Sequence, residues 1–248
     1  MSLIAAETRK LTTVWTTAII TLVGLALVTL ASAFFVFENE MSGEFTGTDG
    51  QITAVIEQIG GVSVIVLVVG LLSMTTEFRH GTIGRTFQLT PSRTRVVTAK
   101  MLAGGLYGVA FFVLGLIPVA ALLLISGADL SFGEQTTSAL WQGPVGLILT
   151  AVFGVAVGAL LRNQVVAVAL LLVHVFIVES LISQFLPAVG RWLPFQALQA
   201  MFLSEDVMAA SPEGMLTPLD PLVGLATFVG YCVAAAGAAI VLMRVRDV

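Results

Sequence analysis

The sequence predicts an all-α integral membrane protein with six transmembrane helices and both termini on the cytoplasmic side. Three observations carry this expectation. Of the 248 residues, 57% are hydrophobic and only 10% charged, and the mean hydropathy is +1.02, far above that of soluble domains. Six apolar stretches are each about long enough to cross a hydrocarbon core, which takes roughly 20 helical residues. The lysines and arginines fall almost entirely in alternate connections, as they do when one side of a multi-pass chain faces the cytoplasm.

The expected spans run approximately from Trp15 to Phe37, Ile59 to Met74, Met101 to Ser126, Leu140 to Leu161, Val165 to Leu186 and Pro221 to Met243. Backbone polar groups cannot be left unpaired in hydrocarbon, and continuous apolar runs lack the alternation of a barrel strand, so each span is read as a helix. Arg9, Lys10 and the "ASA" at Ala31–Ala33 mimic a secretory signal. The apolar run, however, outlasts a signal core of roughly 7–15 residues, and a retained helix is expected. Arg9 and Lys10, then Arg79, Arg85, Arg93, Arg95 and Lys100, then Arg162, then Arg244 and Arg246 all lie on one side of this layout. The other side holds Glu38, Glu40, Glu44, Asp49, Glu57, Asp129, Glu134, Glu205, Asp206, Glu213 and Asp220, with Arg191 as its one basic residue. No repeat or linker divides the chain, so residues 1–248 are read as a single transmembrane domain, and 26.0 kDa leaves no room for a folded soluble domain.

Composition also excludes several functions. The basic residues sit in short segments of a chain with net charge -4, which argues against nucleic acid as a partner. A single cysteine, Cys232, allows no intrachain disulfide, and two histidines in separate segments, His80 and His174, make no metal centre. No catalytic cluster is evident, and no cofactor is expected in the chain itself.

The most informative stretch is Thr75–Lys100, "TTEFRHGTIGRTFQLTPSRTRVVTAK". Thr82 is placed to cap a short helix over Ile83–Leu89 that Pro91 ends, and Ser92 to cap the helix leading into the third span. Ile83 and Phe87 share a face of that short helix, with Leu89 near its end. Arginines here would mark topology and touch lipid phosphates, but topology alone needs neither a capped helix nor an apolar face.

The run "EFRHGT" at Glu77–Thr82, followed by Leu89, Pro91, Arg93 and Lys100, resembles the E-[FYW]-R-x-G-T…L…P…R…K pattern of membrane permeases of the type-2 ATP-binding-cassette exporter superfamily, particularly small actinobacterial ones. The resemblance covers essentially the whole chain and says little of substrate. It implies a half-transporter in a bacterial plasma membrane. Two six-span subunits, a second copy or a related permease, would work with two ABC ATPase subunits that bind ATP and Mg. The loop after span two would be the coupling helix: Glu77, Phe78, Arg79, Gly81 and Thr82 would form the junction, and Ile83, Phe87 and Leu89 would face the ATPase. Arg93 and Arg95 carry over less clearly. The chain's own lysines agree with the need for a partner, since a P-loop requires lysine followed by serine or threonine, whereas Lys10 precedes Leu11 and Lys100 precedes Met101.

Two further segments are structured in this reading. Ser2–Thr13 sets Ile4 and Leu11 against Glu7, Thr8 and Lys10, as in a helix lying at the cytoplasmic surface, which the superfamily places beside the coupling helix. Glu7, Arg9 and Lys10 could pair with Arg79 or Glu77, an exposed pair being worth only about 0–1 kcal/mol. Between spans five and six, "FLPAVGRWLPFQALQAMF" is too apolar for a plain loop and is broken by Pro187 and Pro194, so re-entrant or interfacial helices are expected, with Arg191 and Trp192 as anchors. The superfamily has a re-entrant pair there.

Within span five, Glu179 and His174 are the polar residues whose burial would be costly. Five residues apart, they lie about 140° apart on an ideal helix and do not share a face. With Phe176, and with Gln184 and Phe185 as further candidates, they could line a translocation path. Equally, Glu179 could reach the outer interface and His174 could be satisfied by a helix carbonyl. Gly104 and Gly108, Gly154 and Gly158, and the alanines around Gly237 have the spacing of close helix contacts.

The function expected is export of a drug, lipid, peptide or glycan precursor, driven by a separate ATPase, with no bond-breaking chemistry in this chain. An ion-coupled secondary transporter and a non-transporting membrane immunity or sensor protein are the alternatives.

Overall fold

The structure, a computed structural model, describes residues 3–90, 92–202 and 218–245. Pro91, Glu205, Asp206, Glu213 and Arg246 lie outside the described residues. Helix and short turns account for the architecture, and no strand occurs among the described residues.

In order, α1 is Leu3–Thr13, α2 Trp15–Met41, α3 Asp49–Gly61, α4 Ser63–Arg79, α5 Ile83–Leu89, α6 Arg93–Ile125 and α7 Glu134–Leu161. Then follow α8 (Gln164–Val173), a π turn (His174–Val178), α9 (Glu179–Phe185), α10 (Pro187–Gly190), α11 (Pro194–Ala200) and α12 (Pro221–Val245). Six helices or helix pairs are long and apolar enough to span a membrane: α2, α3 with α4, α6, α7, α8 with α9, and α12. The chain is therefore a multi-pass helical membrane protein.

Spans two and three are longer than hydropathy suggested. The second covers Asp49–Arg79, broken at Val62 between α3 and α4, and the third covers Arg93–Ile125. Polar residues stopped the apolar runs early. In the fold these helices continue because Asp49, Glu77 and Lys100 find partners at their ends. Glu57, counted among loop acids by sequence, sits inside α3.

The centre of the bundle is α3, α4 and α7, whose span windows are 56% and 50% buried, against 17–22% for α2, α8 with α9, and α12 on the periphery. Small residues bring the central backbones together. A Cβ on Gly70 would lie 2.5 Å from the Ala151 carbonyl oxygen, and one on Gly154 would collide with that of Leu67. Gly158 faces Leu71, and Gly108 faces Leu147. The small-residue spacing at 104–108 and 154–158 thus serves helix packing, whereas a Cβ on Gly237 of α12 would meet open space. Large apolar side chains such as Leu22, Leu30, Phe34, Ile117 and Leu124 point outward, as a lipid-facing surface requires.

Both segments flanking the spans are helical. The α1 helix packs on α6, but Glu7 and Leu11 are its buried residues. Glu7 is three residues from Ile4 and four from Leu11, so it belongs to the inner face and not to the polar one assigned from sequence. Between spans five and six, α10 and α11 form the expected pair of short helices. Phe195 of α11 packs against Phe153 of α7 and Phe228 of α12, so α11 is seated among the spans.

Candidate functional site

Among the described residues, the basic residues other than Arg191 lie at one end of the bundle. The end of α4 explains how. Gly81 has φ +65°, a left-handed conformation that side chains resist. Its N–H donates to the Phe78 carbonyl (3.2 Å), and that of Thr82 donates to the Glu77 carbonyl (3.0 Å). These two bonds form a Schellman motif, which stops the helix and reverses the chain. The glycine and threonine of "EFRHGT" are therefore a helix-ending signal. The α5 helix begins one residue later, with the expected bounds, although the Thr82 hydroxyl turns back toward the Glu77 carbonyl (3.5 Å) and makes no capping bond.

Beneath α5 lies a four-membered ion network. The Lys100 ammonium donates to Glu7 Oε2 (2.7 Å), Glu77 Oε1 (2.8 Å) and the Ser73 carbonyl (3.1 Å), which uses all three of its hydrogens. Lys10 donates to Glu7 Oε1 (2.7 Å) and Glu77 Oε1 (2.9 Å), and the Thr86 hydroxyl to Glu77 Oε2 (3.3 Å). One carboxylate, Glu77, thus links α1, α4, α5 and α6. The network is mostly dry: Lys100 and Glu7 side chains are 2% and 4% exposed, Glu77 11%, and Lys10 48%. The expected pair of Lys10 with Glu77 forms, half in water, and Lys100 adds a buried pair that sequence did not suggest. Partial burial lowers the pKa of Lys10, but hydrogen bonds and charges from Glu7 and Glu77 outweigh this and hold it above the ordinary lysine value.

The other expected junction residues divide. Ile83 is buried against Met74, Val97 and Met101, and Phe87 packs on the same cluster with the Arg93 guanidinium 5.5 Å from its ring centre. Both face this chain's own core, because α5 lies across α6 and buries its apolar side there. Leu89, 87% exposed, is the apolar side chain of α5 left outward, together with exposed Arg85 and Gln88. Arg79 Nη1 donates to Gln164 Oε1 (3.3 Å), and Phe78 lies under Arg162 (5.3 Å). Arg9 and Arg95 are exposed. Arg93 Nη1 donates to the Met243 carbonyl (2.9 Å), tying the start of α6 to the end of α12.

Sequence reasoning missed Lys100 as the hub. The signal was present: a lysine seven residues inside a helix otherwise turning apolar must have an acidic partner.

The opposite end is built on carboxylates that meet backbone amides. Asp49 accepts from the N–H groups of Gly133 (2.8 Å), Gln135 (3.0 Å) and Thr136 (3.0 Å) and from the Thr136 hydroxyl, so it caps α7. Glu179, with no exposed surface, accepts from Phe195 N (3.1 and 3.2 Å) and Gln196 N (3.1 Å), so it caps α11. His174 Nε2 lies 3.1 Å from Glu179 Oε1. The ideal-helix separation fails here because the π turn bonds the Glu179 N–H to the His174 carbonyl five residues back, and the wider turn brings both side chains to one face. Phe176 is 61% exposed on the periphery.

Among the described residues, no three His, Cys, Asp or Glu side chains gather as metal ligands. A search of protein-family models and of curated proteins finds no match to this chain.

Proposed function

We propose that this chain is the transmembrane subunit of an ATP-driven exporter of the type-2 ATP-binding-cassette kind. It would act as a dimer in a bacterial plasma membrane, with ATP and Mg bound by separate ATPase subunits at its basic end. The positive-inside rule makes that end cytoplasmic. The observation that carries the reading is the Glu77 carboxylate, which joins four helices directly under α5. A push on α5 would therefore be felt by α1, α4 and α6 together, and α4 is the span packed most closely on the central α7. This is what a coupling element needs: an exposed contact surface on a buried, stiff support.

The contact surface in this reading is Arg85, Gln88 and Leu89, while Ile83 and Phe87 hold α5 to the bundle. The test is co-purification with a candidate ABC ATPase subunit, followed by ATP turnover in liposomes. Leu89→Asp should lower association and coupled turnover at least about ten-fold with an unchanged melting temperature, because exposed substitutions move stability by only about 0.5 kcal/mol. If the unaltered pair does not associate, or Leu89→Asp turns over normally, the reading fails.

An ion-coupled transporter would draw on His174 and Glu179. Both Glu179 oxygens already accept backbone N–H bonds that hold α11, and the reading of Glu179 as a helix cap accounts for its burial without a relay. A role for His174 and Phe176 along a substrate path has no comparable support.

A further inference from the structure

A cavity of ≈ 650 Å³ opens at the basic end between α1, α4, α5 and α6. Its volume is that of a small-molecule site, for which about 300–1,000 Å³ is usual. Its walls carry Lys10, Lys100, Arg79 and Arg85 against two carboxylates, Glu7 and Glu77. Both oxygens of each carboxylate are already occupied by Lys10, Lys100 or Thr86. What faces the opening is consequently positive. Arg85 has no hydrogen-bond or ion-pair partner among the described residues, Arg79 reaches the neutral Gln164, and Lys10 has one N–H beyond its two carboxylate bonds. On the span side the same cavity is lined by hydrocarbon, Leu11, Val14 and Leu72, and Val14 is 46% exposed.

We propose that this cavity binds one anionic amphiphile, its headgroup held by Arg79, Arg85 and Lys10 and its chain laid along Leu11, Val14 and Leu72. A free anion would satisfy the guanidinium groups and leave the apolar wall wet. A neutral lipid would cover the wall and leave the cations unpaired. An amphiphile with a phosphate or carboxylate head matches both, and the site lies at the end of the spans where headgroups are found. This assignment does not require the exporter reading, although it shares Arg85 with the contact surface named there; it depends only on the cavity and on a surrounding bilayer. Arginine suits the role because its fork pairs both oxygens of a phosphate or carboxylate.

The experiment is a titration of the full chain, purified in a mild detergent, with phosphatidylglycerol, phosphatidylcholine or inorganic phosphate, counting bound molecules by native mass spectrometry. One phosphatidylglycerol per chain should bind at concentrations where phosphatidylcholine does not. Arg85→Ala should weaken it about five-fold and Arg79→Ala with Arg85→Ala about twenty-five-fold, at about five-fold per cation near a membrane surface. Arg85→Lys should keep most of the binding. Arg85 has no partner to orphan, so its alanine variant should melt as the unaltered protein does. Leu72→Asn should lower phosphatidylglycerol binding while inorganic phosphate binding stays the same. Equal binding of the two lipids overturns the headgroup assignment. Inorganic phosphate binding as tightly as phosphatidylglycerol overturns the amphiphile. Loss of the lipid when a protein partner associates would make the cavity a protein seat and overturn the proposal as well.

Discussion

At the basic end of the bundle the buried carboxylates, Glu7 and Glu77, meet ammonium groups; at the opposite end Asp49 and Glu179 meet backbone amides. The first fastens α1 and α5 to the spans; in the second, Glu179 seats α11 and Asp49 joins the starts of α3 and α7. The difference lies in what each would lose. A helix N-terminus carries only partial charge, so a capping carboxylate supports one helix end and its removal exposes a few N–H groups. A buried lysine between two glutamates is a set of full charges, each of which depends on the others being present. The basic end is accordingly the one where several helices must move together or not at all.

Substitutions would grade this contrast. The largest effect is expected for Lys100→Ala, which leaves Glu7 and Glu77 facing each other with only half-exposed Lys10 between them. It should cost about 3–5 kcal/mol, read as a fall in melting temperature of the solubilised protein, and α1 should become accessible to protease. Glu179→Ala should cost about 1–3 kcal/mol, since it leaves the buried amides of α11 unpaired, with protection from hydrogen exchange lost locally at Phe195 and Gln196. Asp49→Ala should cost about 1 kcal/mol, the ordinary value of a lost cap, with the change confined to the start of α7. If Lys100→Ala proves no worse than Asp49→Ala, the distinction between the two ends disappears.

Lys10 should give the smallest effect. Lys10→Met should cost under about 1 kcal/mol, because the side chain is half in water and its pairs are screened. Its raised pKa fixes the sign with pH. The contribution is fully present below the ordinary lysine value of 10.5 and is lost as pH rises through the higher value in the fold. Melting curves of the unaltered protein and Lys10→Met should therefore converge above that pH and stay parallel near neutrality.

The six spans were legible because hydrocarbon thickness imposes a length on any crossing helix. The α5 helix was legible to the residue, although Thr82, expected to cap it, makes no capping bond. The direction of its apolar face was not: spacing tells which residues share a side and not whether that side meets a partner or the chain's own α6. Span ends were lost where Asp49, Glu77 and Lys100 interrupt the hydropathy, since a window average treats a paired charge as an exposed one. The Lys100 hub reaches Glu7, 93 positions away, and no local pattern reveals such a pairing. His174 and Glu179 were separated by assuming a regular helix, which the sequence between them gave no reason to doubt.

The π turn at His174–Val178 can also be seen as a change of phase. One residue more than a regular helix needs rotates everything beyond it by about 100° relative to α8. The two halves of the fifth span thus follow separate registers, the first set by its packing on α4 and the second by the position of Glu179 under α11. Deleting a single residue from the turn would remove none of the groups that hold α11. It would bring the helix back into step and swing the Glu179 carboxylate off the amides it caps, so the seat of α11 depends on the length of this span as well as on its side chains.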